Sequence, residues 1–256
     1  MRLWIDTDVG TDPDDAVALR CAAAHPDVEL VGVSTVDGDT EWRADIARTL
    51  VDAPVVSGYR LTPAELGATE PDALLAIGPL TNVARLVASG VVPPRLGVMG
   101  GVLRPVRHRG AVRDIEHNFG AEPAAARLVI QHAPGVLLCP LDVTVRMRPS
   151  ADELRRLVEG APVLGPMFDE WVAVQRAAGV PRDEAVVRLH DPLALLALIG
   201  EPVVAIERRM LTVDDDGRIH QGPGRGRPVE TVTDVNAADA MKRIVALVAQ
   251  RSGRGQ

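Results

Sequence analysis

Leu3-Trp4-Ile5-Asp6-Thr7-Asp8-Val9-Gly10-Thr11-Asp12-Pro13-Asp14-Asp15-Ala16 opens on an apolar run, crosses a crowd of acids and enters a segment of helical period. A short apolar run bounded by turn residues predicts a buried strand at 3–5. Apolar spacing predicts a helix over 16–24, starting within or just after the acids. Strand, loop and helix in that order form the first unit of an α/β sheet.

The alternation continues along the chain. Strands are predicted at 28–36, 73–77, 96–99, 136–139, 203–206 and 210–213. Helices are predicted at 43–51, 123–132, 151–159, 163–178, 192–199 and 237–250. The strands are almost continuously apolar, as strands buried on both faces are. The expected fold is therefore α/β, a mostly parallel central sheet with helices on both faces, in a Rossmann-like arrangement. Pro/Gly-rich stretches at 104–110 and 222–228 read as surface loops, because periodic apolar segments resume at once. A single domain over 1–256 follows, with fraying expected at 251–256. Ligands of such sheets bind outside the carboxyl ends of the strands. The segments richest in chemistry, at 6–15, 37–39, 78–82 and from Gly100 onward, fall at those ends.

Composition narrows the function. Of 256 residues, 46% are hydrophobic and 25% charged, which fits a folded core. The net charge of -7 gives no general attraction to phosphate backbones or anionic lipid, so neither nucleic acid nor membrane is an expected partner. Cys21 and Cys139 stand apart in apolar surroundings and read as small buried hydrophobes. The N-terminus runs straight into charge with no secretory apolar region, and a cytoplasmic location is the expectation.

The acidic stretch holds five carboxylates in ten residues, 6–15. Such crowding costs free energy unless a cation sits among them. An all-oxygen set suits Ca²⁺ or Mg²⁺ better than Zn²⁺. A solvated acidic loop capping a helix is the plainer alternative. An EF-hand fails, since no register supplies Asp at positions 1, 3 and 5 with Gly at 6. An Asp-x-Asp phosphatase nucleophile at Asp6-Thr7-Asp8 would need a downstream Lys, and the sole Lys is Lys242 in the closing helix.

The cluster Asp6-Thr7-Asp8-Val9-Gly10-Thr11-Asp12-Pro13-Asp14-Asp15-Ala16 resembles the signature of the inosine–uridine-preferring nucleoside hydrolase family, with two extra residues before the Asp pair and Val9 in place of Pro. Further blocks follow in family order: Thr35-Val36-Asp37-Gly38-Asp39, Ile77-Gly78-Pro79-Leu80-Thr81-Asn82, Met99-Gly100-Gly101, Glu116-His117-Asn118, Pro140-Leu141-Asp142-Val143-Thr144 and His190-Asp191-Pro192. The resemblance spans about residues 2–250, with a shortened stretch at 58–72. It implies the nucleoside hydrolase fold and Ca²⁺-dependent hydrolysis of the N-glycosidic bond of a ribonucleoside or related riboside. It also implies a role in nucleoside salvage and a homodimer or homotetramer.

Carried over by motif, the resemblance makes Asp8, Asp15 and Asp191 carboxylate ligands of the ion, with the main-chain carbonyl of Ile77. Asp8 would also accept the attacking water's proton. Asp6 would lie beside the metal shell, and Asp14, Asp39, Glu116 and Asn118 would bind the ribose. His190 would be the general acid for the departing base, as an imidazole able to hold a proton near neutral pH. Asp142, Thr144 and Asn82 could equally be local caps, and His117 either a substrate contact or structural. Trp42, Trp171 and Phe168 read as packing groups rather than stacking platforms.

Two departures stand out. Asp39 occupies a position where the family carries Asn, and a carboxylate only accepts hydrogen bonds. The stretch 58–72 is too short for the family's loop beside the pocket. Together these suggest an intact metal and ribose half with an altered leaving-group half. A repurposed riboside-binding protein with little turnover is the alternative function, and a metal-dependent phosphatase a more remote one.

Overall fold

The computed structural model describes residues 1–58, 61–91, 94–224 and 226–250. The fraying expected at 251–256 lies outside the described residues, as do parts of the 58–72 and 222–228 stretches. In chain order the elements are β1 (Arg2–Thr7), α1 (Asp14–Ala24), β2 (Glu29–Thr35), α2 (Thr40–Leu50), β3 (Val55–Val56), α3 (Pro63–Thr69), β4 (Ala73–Ala76), α4 (Thr81–Ala88) and β5 (Arg95–Met99). A hairpin follows, β6 (Val106–His108) and β7 (Ala111–Arg113). Next come α5 (His117–Ala121), α6 (Pro123–His132), β8 (Val136–Cys139), α7 (Leu141–Thr144), α8 (Ala151–Gly160), α9 (Leu164–Ala177) and α10 (His190–Ile199). The chain closes with β9 (Val204–Val213), β10 (Ile219–Gln221), β11 (Arg227–Val235) and α11 (Ala237–Ala249).

Nine strands form one sheet in the order β10-β9-β11-β8-β5-β4-β1-β2-β3. Every neighbouring pair from β11 through to β3 is parallel; only β9 pairs antiparallel, with β10 and β11. The mostly parallel expectation therefore holds. Side chains alternate between two cores. Leu3, Ile5, Leu75 and Leu137 pack with α1, α10 and α11, whereas Trp4, Leu74 and Leu138 pack with α4 and α6 on the opposite face.

Where β1 lies between β2 and β4, the strand order reverses. Such a switch point opens a crevice beyond the strand ends, because the connections on either side depart in opposite directions. The acidic loop after β1 and Ile77-Gly78 after β4 meet there: a Cβ on Gly78 would stand 2.8 Å from Asp8 Oδ1.

Three expectations need correction. The 104–110 loop is largely hairpin, turning at Arg109 and Gly110 with φ of 51° and 80°. The two late strands are one, β9, because Glu207-Arg208-Arg209 continue along a solvent-facing edge. The 222–228 loop gives way at Arg227 to β11, which pairs with β8 and β9.

Gly32 on β2 makes room for Trp4: a Cβ there would stand 2.2 Å from the indole. Gly32→Ala is expected to cost about 1–3 kcal/mol, as overpacking a tight core does. Urea unfolding checks this, and a change within about 0.5 kcal/mol would show that the indole relaxes freely.

Candidate active site

Beyond the strand ends lies a cavity of about 740 Å³. Its floor is acidic. Asp14 and Asp15 open α1, and Asp191 sits in the first turn of α10. One ligand oxygen from each lies within 4.8 Å of the others, and all three residues are buried. α1 and α10 pack side by side, which brings together acids far apart in sequence. Asp14 Oδ2 accepts from the backbone N–H groups of His190, at 3.1 Å, and Asp191, at 3.4 Å, so it also caps α10. Asp15 accepts a short hydrogen bond from the Thr7 hydroxyl.

This cluster differs from the expected triad. Asp15 and Asp191 meet as anticipated, but the third carboxylate within ligand range is Asp14, not Asp8. Asp8 lines the same cavity and repels Asp15 and Asp191. Its own carboxyl is pushed up to about 7, first by desolvation and then by Asp37 and Asp12, against the pull of Arg43. Burial also pushes Asp14, Asp15 and Asp191 well above the usual carboxylate range, and their mutual repulsion adds to it. A cluster that holds protons so tightly suits a hard divalent cation, whose charge would replace them. No His or Cys belongs to it.

Asp6 is fully buried. Its Oδ1 accepts from Ser34 Oγ at 2.5 Å and Asn82 Nδ2 at 2.9 Å. Asn82 is thus a structural hydrogen bonder. Neither Asp6 nor Lys242, which pairs with Asp239 on the exposed side of α11, lines the cavity. The phosphatase reading loses both its nucleophile and its lysine.

Glu116 and Asn118 line the cavity, yet both also hold the backbone. Glu116 accepts from the N–H groups of Asn118 (2.9 Å), Phe119 (3.2 Å) and Gly101 (3.0 Å). Asn118 Nδ2 donates to the carbonyls of Ile77 and Met99, each at 3.2 Å, so the Ile77 carbonyl already accepts one hydrogen bond. Asp39 is not brought to the cavity. It is exposed and caps α2, accepting from Trp42 N at 3.1 Å. Asp37 lines the wall instead, held at a φ of 66° by Arg43, which donates to its carbonyl at 2.8 Å. The Asp37-Gly38 turn was the available signal, since both residues readily take positive φ. Asp142 accepts from Leu103 N at 2.9 Å and is a local cap.

His190 reaches the cavity, with Thr144 Oγ1 2.8 Å from its Nδ1. Desolvation holds it well below the ordinary imidazole range, helped by His108, Arg109 and Arg188. Trp42 is half-exposed rather than packed in the core, and Trp171 lines the cavity.

The β6–β7 hairpin supplies what the sequence did not reveal. His108 packs edge-on against His190, with ring centroids 5.2 Å apart. The Arg109 guanidinium lies 4.5 Å over the Trp171 ring and forms a short ion pair with Asp12. Glu184 pins the hairpin from outside, accepting from Arg107 Nε at 2.6 Å and Gly110 N at 2.5 Å.

A family model described as "Inosine-uridine preferring nucleoside hydrolase" matches residues 63–243, well over half of the chain. The chain belongs to this nucleoside hydrolase family. A curated relative, the non-specific ribonucleoside hydrolase of Shigella dysenteriae, is 27% identical, covering 92% of this chain and 94% of its own. Among solved structures, a plant nucleoside hydrolase aligns with a TM-score of 0.80 at 18% identity, covering 97% of this chain and 99% of its own. The inosine-uridine preferring nucleoside hydrolase of Bacillus anthracis aligns at 0.74 with 21% identity and the same coverages. These two likenesses show the nucleoside hydrolase fold. No helix among the described residues is long and apolar enough to cross a membrane.

Proposed function

We propose that this protein hydrolyses the N-glycosidic bond of a ribonucleoside or related riboside with the help of a Ca²⁺ ion. Family membership supports the reaction class. The observation that carries the metal is the meeting of Asp14, Asp15 and Asp191 at the cavity floor. These residues would hold the ion, with Asp8 beside them. When bound, Ca²⁺ would supply Lewis acidity and a template for sugar hydroxyls and water.

The chain's own residues account for the rest. Glycosidic cleavage passes through an oxocarbenium-like state, and an acidic floor stabilises the positive charge that develops on the sugar. Asp8, with a carboxyl poised at about 7, is suited to take the proton of the attacking water. Glu116 and Asn118 line the cavity and would bind ribose hydroxyls. Their bonds to the backbone fix them in place before substrate arrives.

The test is reducing-sugar release from a nucleoside panel, with and without EGTA, repeated for Asp8→Asn. Chelation is expected to abolish release. Asp8→Asn is expected to lower kcat by about 10²–10⁴-fold with the fold retained. Full activity in the variant would remove Asp8 as the base, and full activity in EGTA would remove the ion.

A further inference from the structure

The cavity carries both signs of charge. Beside its carboxylates it is lined by Arg109, Arg113, His108, His190 and Trp171, and Arg109 pairs with Asp12 at the border of the two groups. We propose that Arg109 is a leaving-group residue, donating to the oxygen that flanks the glycosidic nitrogen and stabilising the base as it departs as an anion. This rests on the ribosyl-hydrolase reading above. It assigns the preferred substrates as ribosides whose base carries a carbonyl oxygen beside that nitrogen.

Three observations carry it. First, Arg109 is held but not used up. Asp12 occupies Nη2 and Trp171 supports the guanidinium plane, while Nε and Nη1 have no hydrogen-bond partner among the described residues. A stacked, ion-paired guanidinium keeps its fork in one orientation, which a mobile cation would not. Second, this lining lacks partners for its own polar groups. His108 Nδ1, His190 Nε2 and Trp171 Nε1 are all unpaired, on residues more than nine-tenths buried. Buried polar atoms rarely stay unpaired, so this lining has hydrogen-bonding capacity that the protein itself leaves unused. Third, the field there is positive. Arg109, Arg188 and Arg113 all add to the desolvation that drives His108 down to about 3. A neutral base at rest gains little from such a field; a base leaving with an electron pair gains a great deal.

The electron count closes with water as the only co-reactant. The C1′–N bond breaks and its electron pair goes to the nitrogen, delocalised onto the neighbouring oxygen held by Arg109. Water oxygen bonds to C1′, and its proton passes to the Asp8 carboxylate. The base anion takes a proton from solvent on release, and Asp8 returns its own.

The experiment compares Arg109→Gln and Arg109→Lys with the parent on uridine and on para-nitrophenyl riboside, whose leaving anion is already stable. Arg109→Gln is expected to lose about 10²–10³-fold in kcat on uridine, but less than about tenfold on the nitrophenyl riboside. Arg109→Lys should recover part of the uridine loss. The ratio of the two rates is taken within each preparation, so incomplete folding does not distort it. Equal loss on both substrates would make Arg109 a structural strut of the hairpin and overturn the proposal, as would no loss on either. A parent protein inert toward both would instead sink the ribosyl-hydrolase reading, before any variant is compared.

Discussion

Asp191→Asn is expected to lower ribose release by about 10³-fold or more, and at the same time to raise the thermal midpoint of the metal-free protein. The two effects share one cause. Asp191 is buried and faces Asp14, Asp15, Asp8 and Asp12. Asparagine keeps the shape and removes the charge. A divalent ion would then lose one of three clustered carboxylates, and the several kcal/mol of transition-state stabilisation that a bound ion supplies convert to about three factors of ten. The metal-free protein, for its part, is relieved of a buried acid repelled by its neighbours. Opposite movement of activity and stability marks a charge cluster kept for function. Steady-state assays at saturating Ca²⁺ and melting curves in EGTA measure both. Activity within about tenfold of the parent would place the ion elsewhere.

Much of this was legible in the sequence, for identifiable reasons. The strands at 73–76, 95–99 and 136–139 lie at the middle of a sheet covered on both faces, so their residues are apolar throughout save the exposed Arg95 at one end. β9 and β11 belong to the antiparallel end, where exposed charges such as Arg208 and Glu230 interrupt the apolar signal without ending the strand. The hairpin hid behind Pro105 and three arginines, although Arg109-Gly110 is a two-residue turn of the kind that reverses a β-ribbon. At the site, Asp15 and Asp191 were readable from motif. Asp14 joins Asp15 and Asp191 through contacts that no local spacing announces, since its carboxylate accepts from the backbone of α10, 176 residues away. The Arg109–Asp12 pair joins residues 97 apart, and no local spacing announces it. The same holds for the contact between His108 and His190, which depends on the hairpin folding over the strand ends.

The acids also dictate how stability should depend on pH. The carboxyls of Asp6 and Asp8 stand at about 7 in the folded protein, mainly through desolvation, against 3.8 for an unperturbed aspartate. Asp14, Asp15 and Asp191 are raised in the same direction, again first by desolvation. Between the two values the native state holds protons that the unfolded chain has released. Each such proton makes stability fall by about 1.4 kcal/mol per pH unit as pH rises. The metal-free protein should therefore be most stable in mild acid and lose stability toward neutrality, with the steepest loss on the way up to about pH 7. This is the reverse of the usual carboxylate pattern, in which ion-paired acids stabilise at neutral pH. Bound at these acids as proposed, Ca²⁺ would compete with those same protons, so its binding should release protons and weaken in acid. At about 100-fold excess over its dissociation constant the ion adds about 2.7 kcal/mol, several degrees in the melting temperature of a chain this size. That gain is expected in full near about pH 8 and largely lost near about pH 5, where the cluster is protonated. Differential scanning calorimetry in EGTA and in Ca²⁺ at both values decides the matter. An equal Ca²⁺ shift at the two pH values would mean that the ion does not bind the buried acids at all.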